Sequence, residues 1–173
     1  MSAYKRVRQF VRAVTQRMTS EDYDFVRHHL PEKALPLFFA MHPADQVHVR
    51  NVAFTALKMA EERGLAAEQK EFLLRCALLH DVGRVKGDLN IMGKVMAVLM
   101  THYLPRLSAA WQKKQDPIGH ALYVYRHHPA IGAEKLKAIG LEEEAAVIAH
   151  HHEKEQAGDS EVLKILRAAD EQN

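Results

Sequence analysis

The sequence contains very little cysteine, which excludes two kinds of architecture. Of its 173 residues only Cys76 is a cysteine, so neither a disulfide framework nor a metal site built from several thiolates can form within the chain. Cys76 lies in the apolar run LLRCALLH, where we expect it to be a small buried hydrophobe. A chain without disulfides suits a reducing compartment, so we expect a cytoplasmic location.

Strong charge bias and long apolar runs are also lacking. The chain has 24 basic and 22 acidic residues, a balance that disfavours a protein dedicated to coating nucleic acid. No apolar run is long enough to span a membrane and no secretory signal peptide is recognisable, so no membrane partner is expected. Residues 5–17 are basic, with no acid before Glu21. They are candidates for contact with nucleic acid, although the solvated face of an amphipathic helix is the preferred interpretation.

The apolar residues do not alternate as in half-buried strands; they follow a helical period. We therefore expect an all-α fold. Helices are predicted at about 20–29, 43–63, 66–80, 141–152 and 160–170. Residues 1–42 are interpreted as N-terminal helices packing on a core, and residues 43–173 as one domain with a helical insertion at 88–116. This insertion is called the roof below.

The feature that the sequence does contain is an ordered set of histidines and aspartates. Its members are His48, His80, Asp81, His128, His151, His152 and Asp170. They are far apart in sequence, so they can meet only if several helices converge on one point. Imidazole and carboxylate ligands suit Mn, Fe, Co, Ni or Zn. The set therefore indicates a divalent metal site, expected to hold two ions.

Four segments of the chain resemble the HD superfamily of metal-dependent phosphohydrolases. LLHDVGRV (78–85) is similar to the core motif, and HHPAIGAEKL (127–136) to the HP-x-x-G segment of the HDIG and HD-GYP branches. His-His-Glu at 151–153 matches the same branches, and LRAADEQN (166–173) resembles the final helix. The resemblance covers residues 44–173 and implies a single multi-helix HD domain.

The resemblance also implies roles for the individual residues. One metal would be held by His48, His80, Asp81 and Asp170. Asp81 would bridge to a second metal held by His128, His151 and His152, since a carboxylate has two oxygens to offer. A water between the ions would attack the phosphorus. The implied activity is hydrolysis of a small phosphorylated molecule, expected to be a nucleotide or a related phosphoester or phosphoanhydride.

Two cations that follow the core motif are candidates for binding substrate phosphate. Arg84 stands where many relatives have lysine, and its guanidinium can grip two phosphate oxygens at once. Lys86 is the second candidate, and a solvated surface charge is the alternative for each. Tyr103 and Trp111, within the roof, are candidates for stacking on a base. At 150–152 the choice of ligands is open: His151 is favoured first, then His152.

The chain departs from the HD-GYP branch at two points. No GYP tripeptide follows the His-His-Glu, and Ala44 stands where some members have glutamate. Hydrolysis of cyclic-di-GMP and a third metal are therefore not expected, and the spacing resembles that of small HD hydrolases that cleave diadenosine tetraphosphate. The alternative to an enzyme is a non-catalytic HD-like regulatory or nucleic-acid-interacting module. The oligomeric state is left open.

Overall fold

The fold is all-α, as predicted. The structure is a computed structural model that describes residues 16–87, 99–101, 103–114 and 116–173. These residues contain no strand; they form eight α-helices and one 3₁₀ turn at Glu32–Ala34. The helices are α1 (Ser20–His29), α2 (Leu35–Ala40), α3 (Pro43–Glu62), α4 (Ala67–Leu79), α5 (Pro105–Trp111), α6 (Pro117–Ala138), α7 (Glu142–Ile148) and α8 (Glu161–Gln172).

The helices begin where polar caps and prolines lie in the sequence. Thr19 caps α1 in a reciprocal arrangement with Asp22, which satisfies two backbone N–H groups at the helix start. His42 caps α3, its ring Nδ1 accepting from the N–H of Ala44. Asp116 caps α6, accepting from the N–H of Gly119 at 2.7 Å. Prolines stand at the first turns of α3, α5 and α6, where a missing N–H costs nothing.

Helix α4 is the centre of the fold. It packs against α1, α2, α3, α7 and α8, and its second half, from Leu73 to Leu79, is buried apart from Arg75. A helix surrounded on nearly all sides must be apolar nearly all round, which explains the run LLRCALL. Cys76 is fully buried and free, as predicted, and burial raises the pKa of its thiol. The residues that follow this helix are thereby delivered into the interior.

The described part of residues 1–42 shares the main core. Val26 and Phe38 are fully buried in the same apolar cluster as Leu166 near the other end of the chain. The division of the chain at residue 42 stays an interpretation. Among the described residues, no helix has the length and apolar character needed to cross a membrane.

The structure describes only part of the predicted roof at 88–116. Residues 88–98 lie outside the described residues. Helix α5 packs against α6, and Trp111 contacts a small apolar cluster made by Met100 and Leu122, separate from the main core. The insertion at 88–116 therefore stays a prediction.

Two glycines permit the closest approach between α6 and the loop after α4. A Cβ on Gly83 would lie 2.0 Å from the backbone oxygen of His128, and a Cβ on Gly132 would lie 3.2 Å from the nitrogen of Gly83. Helix α4 ends at Leu79, so Gly83 lies in the loop that follows it. The requirement at Gly83 is therefore steric: a side chain would push α6 away from the loop that carries Asp81.

Gly83→Ala is expected to destabilise the protein. The added methyl group overlaps backbone atoms that cannot rotate away, and overpacking of this kind costs about 1–3 kcal/mol. The measurement is the free energy of unfolding from urea denaturation. Gly158→Ala is the matched control, because a Cβ there meets no atom within 4 Å. Equal losses in the two variants would contradict the close approach.

Candidate metal centre

His80 and Asp81 follow directly on the central helix. His80 is the C-cap of α4, and both residues are only 1% exposed. The C-terminal end of a helix carries partial negative charge and favours a cation. A buried imidazole beside a buried carboxylate needs partners, since leaving such groups unpaired in the interior is costly.

His48 and Asp170 join this pair from two neighbouring helices. His48 lies in α3 and Asp170 in α8, and His48 Nε2 is 3.0 Å from Asp170 Oδ1. His80 Nε2 lies 3.8 Å from Asp81 Oδ2 and 3.7 Å from Asp170 Oδ1. The ligand atoms of His48, His80 and Asp81 all lie within 4.8 Å of one another. Two ligand atoms that each lie about 2.0–2.2 Å from one ion are at most about 4.4 Å apart. The distances among these ligand atoms are therefore close to those that one shared ion requires.

A second group adjoins the first on the far side of Asp81. His128 from α6 lies 3.2 Å from Asp81 Oδ1 through its Nε2 and 3.1 Å from His152 Nε2. The ligand atoms of His128, His151 and His152 lie within 4.8 Å of one another. His151 also forms such a group with His80 and Asp170. The seven residues singled out in the sequence therefore form one continuous cluster.

The predicted helix at 141–152 is too long. Helix α7 ends at Ile148, and the three histidines lie in turns beyond it. Successive residues of a helix point about 100° apart, whereas the turn allows the rings of His151 and His152 to lie 4.1 Å apart, both toward the cluster. His150 is exposed and its ring is 3.0 Å from Glu153. His152 is thus the residue that accompanies His151 in the cluster.

Three of the histidines are oriented in the same way. In each, ring Nδ1 donates to the backbone carbonyl three residues earlier: His80 to Ala77 at 2.8 Å, His128 to Tyr125 at 2.8 Å and His151 to Ile148 at 2.7 Å. Because a carbonyl can only accept, Nδ1 must carry the proton, and Nε2 is left for a cation. Among the described residues, Nε2 of His80 and of His151 is buried and finds no hydrogen-bond partner.

The carbonyls that accept these bonds have a common origin. Ala77 and Ile148 lie in the last turns of α4 and α7, where carbonyls have no following helical N–H. Tyr125 lies inside α6, but the residue four positions later is Pro129. Proline lacks the N–H that would otherwise bond to that carbonyl. The ring of His128 takes its place, which is a physical reason for proline directly after this histidine.

The two carboxylates are held in the charged form. Burial raises the pKa of Asp81, but Arg84 and His80 outweigh it and hold the pKa well below its ordinary value. For Asp170 burial acts in the same sense, and the hydrogen bond with His48 and the nearby charge of His80 hold its pKa well below the usual range. Burial lowers the pKa of His80, but Asp81 and Asp170 overcome this and raise it to about 9. The pocket around His80 therefore favours positive charge.

Three imidazoles, those of His128, His151 and His152, are held neutral. Burial, followed by the charge on Arg84, lowers the pKa of His128. Burial and His80 lower the pKa of His151 well below its ordinary value, and burial with His128 lowers that of His152 to about 4. Neutral imidazole is the form that binds a metal. The donor set of neutral imidazoles, charged carboxylates and partnerless buried Nε2 atoms fits divalent transition metals.

The two predicted phosphate-binding cations differ in position. Arg84 is largely buried and its Nη1 donates to Asp81 Oδ2 at 2.7 Å. Lys86 is exposed, and its backbone N–H donates to the carbonyl of Ala40 at 2.8 Å. A phosphate contact stays a prediction for both residues.

Two residues near the cluster were not assigned a role from the sequence. Asp45 is buried, lies one turn before His48, and raises the pKa of Arg84 together with Asp81, although burial opposes both. The three-residue spacing to His48 is the signal for it. Arg167 donates from α8 to the carbonyl of His150 at 2.8 Å and pairs with Asp159. It ties the turn bearing the histidines to the helix bearing Asp170, and no sequence signal marks this role.

Comparison with known proteins adds one finding. The family model described as HD domain matches residues 46–171, a span that contains all seven members of the cluster. Neither the curated proteins nor the solved structures contain a match to the chain.

Pro129→Ala is expected to weaken metal binding without unfolding the protein. Alanine restores an N–H that competes with the ring of His128 for the carbonyl of Tyr125. Loss of such a supporting bond typically costs 10–100-fold in metal affinity, so a drop of roughly that size is expected. The measurement is calorimetric titration with Mn²⁺.

The matched control for this variant is Pro117→Ala, at the first turn of the same helix and away from the cluster. Its metal affinity should equal that of the wild type. An unchanged affinity in Pro129→Ala, with unchanged helical circular dichroism, would show that the proline does not orient His128.

Metal binding at about pH 7.5 is expected to release a proton from His80. The pKa of His80 is raised to about 9, so the metal-free ring holds two protons at this pH, and coordination through Nε2 must displace one. Above the raised pKa the ring has already lost that proton and the release disappears. Calorimetry in buffers of different ionisation enthalpy counts the protons, with His80→Gln as the reference. A proton count that does not change between pH 7 and 10 would contradict the assignment.

Proposed function

The chain belongs to the HD-domain family, and from that premise we propose that it is a metal-dependent phosphohydrolase acting on a nucleotide or a related phosphoester or phosphoanhydride. The observation that carries the proposal is the set of buried, partnerless Nε2 atoms of His80 and His151 around a charged, buried Asp81. A purely structural histidine pair would have found hydrogen-bond partners. Membership of the HD superfamily supports metal-dependent phosphohydrolase chemistry in general. The nucleotide-like substrate is the finer part that we propose.

The residues divide into two metal positions that share Asp81. His48, His80, Asp81 and Asp170 would hold the first ion, and His128 with His151 and His152 the second. Divalent ions bound there supply Lewis acidity toward phosphoryl oxygens and an activated water. The chain itself contributes orientation, since three backbone carbonyls fix the rings of His80, His128 and His151. It also keeps both carboxylates charged and the imidazoles of His128, His151 and His152 neutral.

The nucleotide part of the proposal rests on Tyr103 and Trp111, which lie between Asp81 and His128 in the sequence. Tyr103 is 71% exposed, and an exposed aromatic ring can stack on a base. Trp111 is less suited to that role, because its indole N–H donates to Asp116 at 3.1 Å and Lys114 lies over its ring. The basic segment 5–17 lies almost wholly outside the described residues, so no observation favours the nucleic-acid-interacting alternative.

Asp81→Asn is expected to abolish hydrolysis. Wild-type protein loaded with Mn, Fe, Co, Ni or Zn is screened against nucleotides, dinucleoside polyphosphates and cyclic dinucleotides. For the best substrate, Asp81→Asn should lower kcat/KM by more than the roughly 10–100-fold that loss of an outer-shell partner costs, and it should lose bound metal. Asp24→Asn is the control, since this acid is 77% exposed.

The screen separates an enzyme from a binding module. Hydrolysis that survives in Asp81→Asn would point to a contaminating activity. A wild-type protein that binds metal and hydrolyses none of these substrates would favour the non-catalytic, HD-like module.

A further inference from the structure

Arg84 lies between the two groups that the second metal position requires. Its Nη1 donates to Asp81 Oδ2 at 2.7 Å, and its Nη2 lies 3.0 Å from His128 Nε2. The side chain is only 16% exposed. The planar guanidinium thus spans the carboxylate and the imidazole with two different nitrogens, as a fork.

The contact between Arg84 and His128 excludes a metal ion from the same nitrogen of His128. Nδ1 of this ring donates to the carbonyl of Tyr125, so Nε2 carries the only lone pair that the neutral ring can offer. That lone pair can accept from Arg84 or bind a metal, and it cannot do both. An ion coordinated by His128 must therefore displace the guanidinium.

The charges around Arg84 also disfavour a second metal ion while the guanidinium is in place. Three carboxylates act on Arg84, those of Asp81, Asp45 and Asp170. One divalent ion at the first position together with the guanidinium balances three carboxylates. A second dication beside an undisplaced guanidinium would meet like charge at short range in a buried setting, where screening is weak.

We propose that Arg84 is a built-in competitor for the second metal position, which keeps the resting protein in a one-ion state. This inference rests on the proposed metal centre. The second ion enters only when the guanidinium leaves Asp81 and His128, so occupancy of the two positions is expected to require widely different metal concentrations. Arg84 acts here as a positioning residue for the metal set, independently of any contact with substrate.

The test is metal stoichiometry in the full chain with Arg84→Met, which keeps the length of the side chain and removes its charge and donors. Metal-free protein is titrated with Mn²⁺ by calorimetry and the bound metal is counted by elemental analysis. Wild type should bind one ion tightly and a second at least tenfold more weakly. In Arg84→Met the second Kd should fall at least tenfold while the first changes little.

Lys86→Met is the matched control, because it removes one exposed charge from the same loop, and its second Kd should match that of the wild type. Arg84→Lys leaves Asp81 an ionic partner but lacks the fork, and it should give an intermediate second Kd even if the methionine variant does not fold. A second Kd unchanged in both Arg84 variants, or two equally tight ions in the wild type, would overturn the competition. Absence of any bound ion in wild type and variants would overturn the metal centre itself.

Discussion

The interior of this protein is organised around one buried negative charge. The carboxylate of Asp81 is 1% exposed and stands two residues beyond the end of α4, the helix that packs against five others. An isolated carboxylate would be expelled or neutralised in such a place, yet its pKa is held low by Arg84 and His80 against the effect of burial. Both partners lie within three residues of Asp81 in the chain, so one short segment carries the negative charge and its counter-charges. His128 approaches the same carboxylate from α6, with its Nε2 3.2 Å from Asp81 Oδ1.

The histidines are made ready for a cation by backbone groups. Helix ends and an internal proline leave carbonyls without a helical partner, and rings three residues later use them. The hydrogen bond from Nδ1 fixes the tautomer of each ring, so that Nε2 faces the cluster. Because the ring is already held in place, binding a metal ion costs little rotamer freedom. The glycine contact between residues 83 and 128 serves the same end by a steric route, since it brings the loop after Asp81 against the backbone of His128.

The sequence predicted the cluster well because residue type and order were sufficient for it. Imidazole and carboxylate at widely separated positions imply converging helices, and prolines and polar caps marked several helix starts. The sequence did not predict the end of α7. An apolar pattern continuing into His150 reads as helix, whereas the turn there is anchored by Arg167 from a distant helix. Tertiary contacts of this kind have no local signature. The same holds for Gly83, because its role depends on a close approach to the backbone of His128, 45 residues later in the chain. No periodicity in the sequence marks that contact.

Arg84 shows why the number of ligand residues alone does not determine how many metal ions a site binds. Histidines sufficient for a second ion are present, but one of them already accepts from a guanidinium in the same place. In the proposed arrangement, a phosphate group entering the site would bring negative charge that a second dication could balance, whereas one ion and Arg84 would already balance the acids of the resting site. The displaced guanidinium could then grip the phosphoryl group with two donors. Under this proposal metal occupancy and substrate binding would be coupled through a single side chain, and a lysine at residue 84 could not link Asp81 and His128 as the guanidinium fork does.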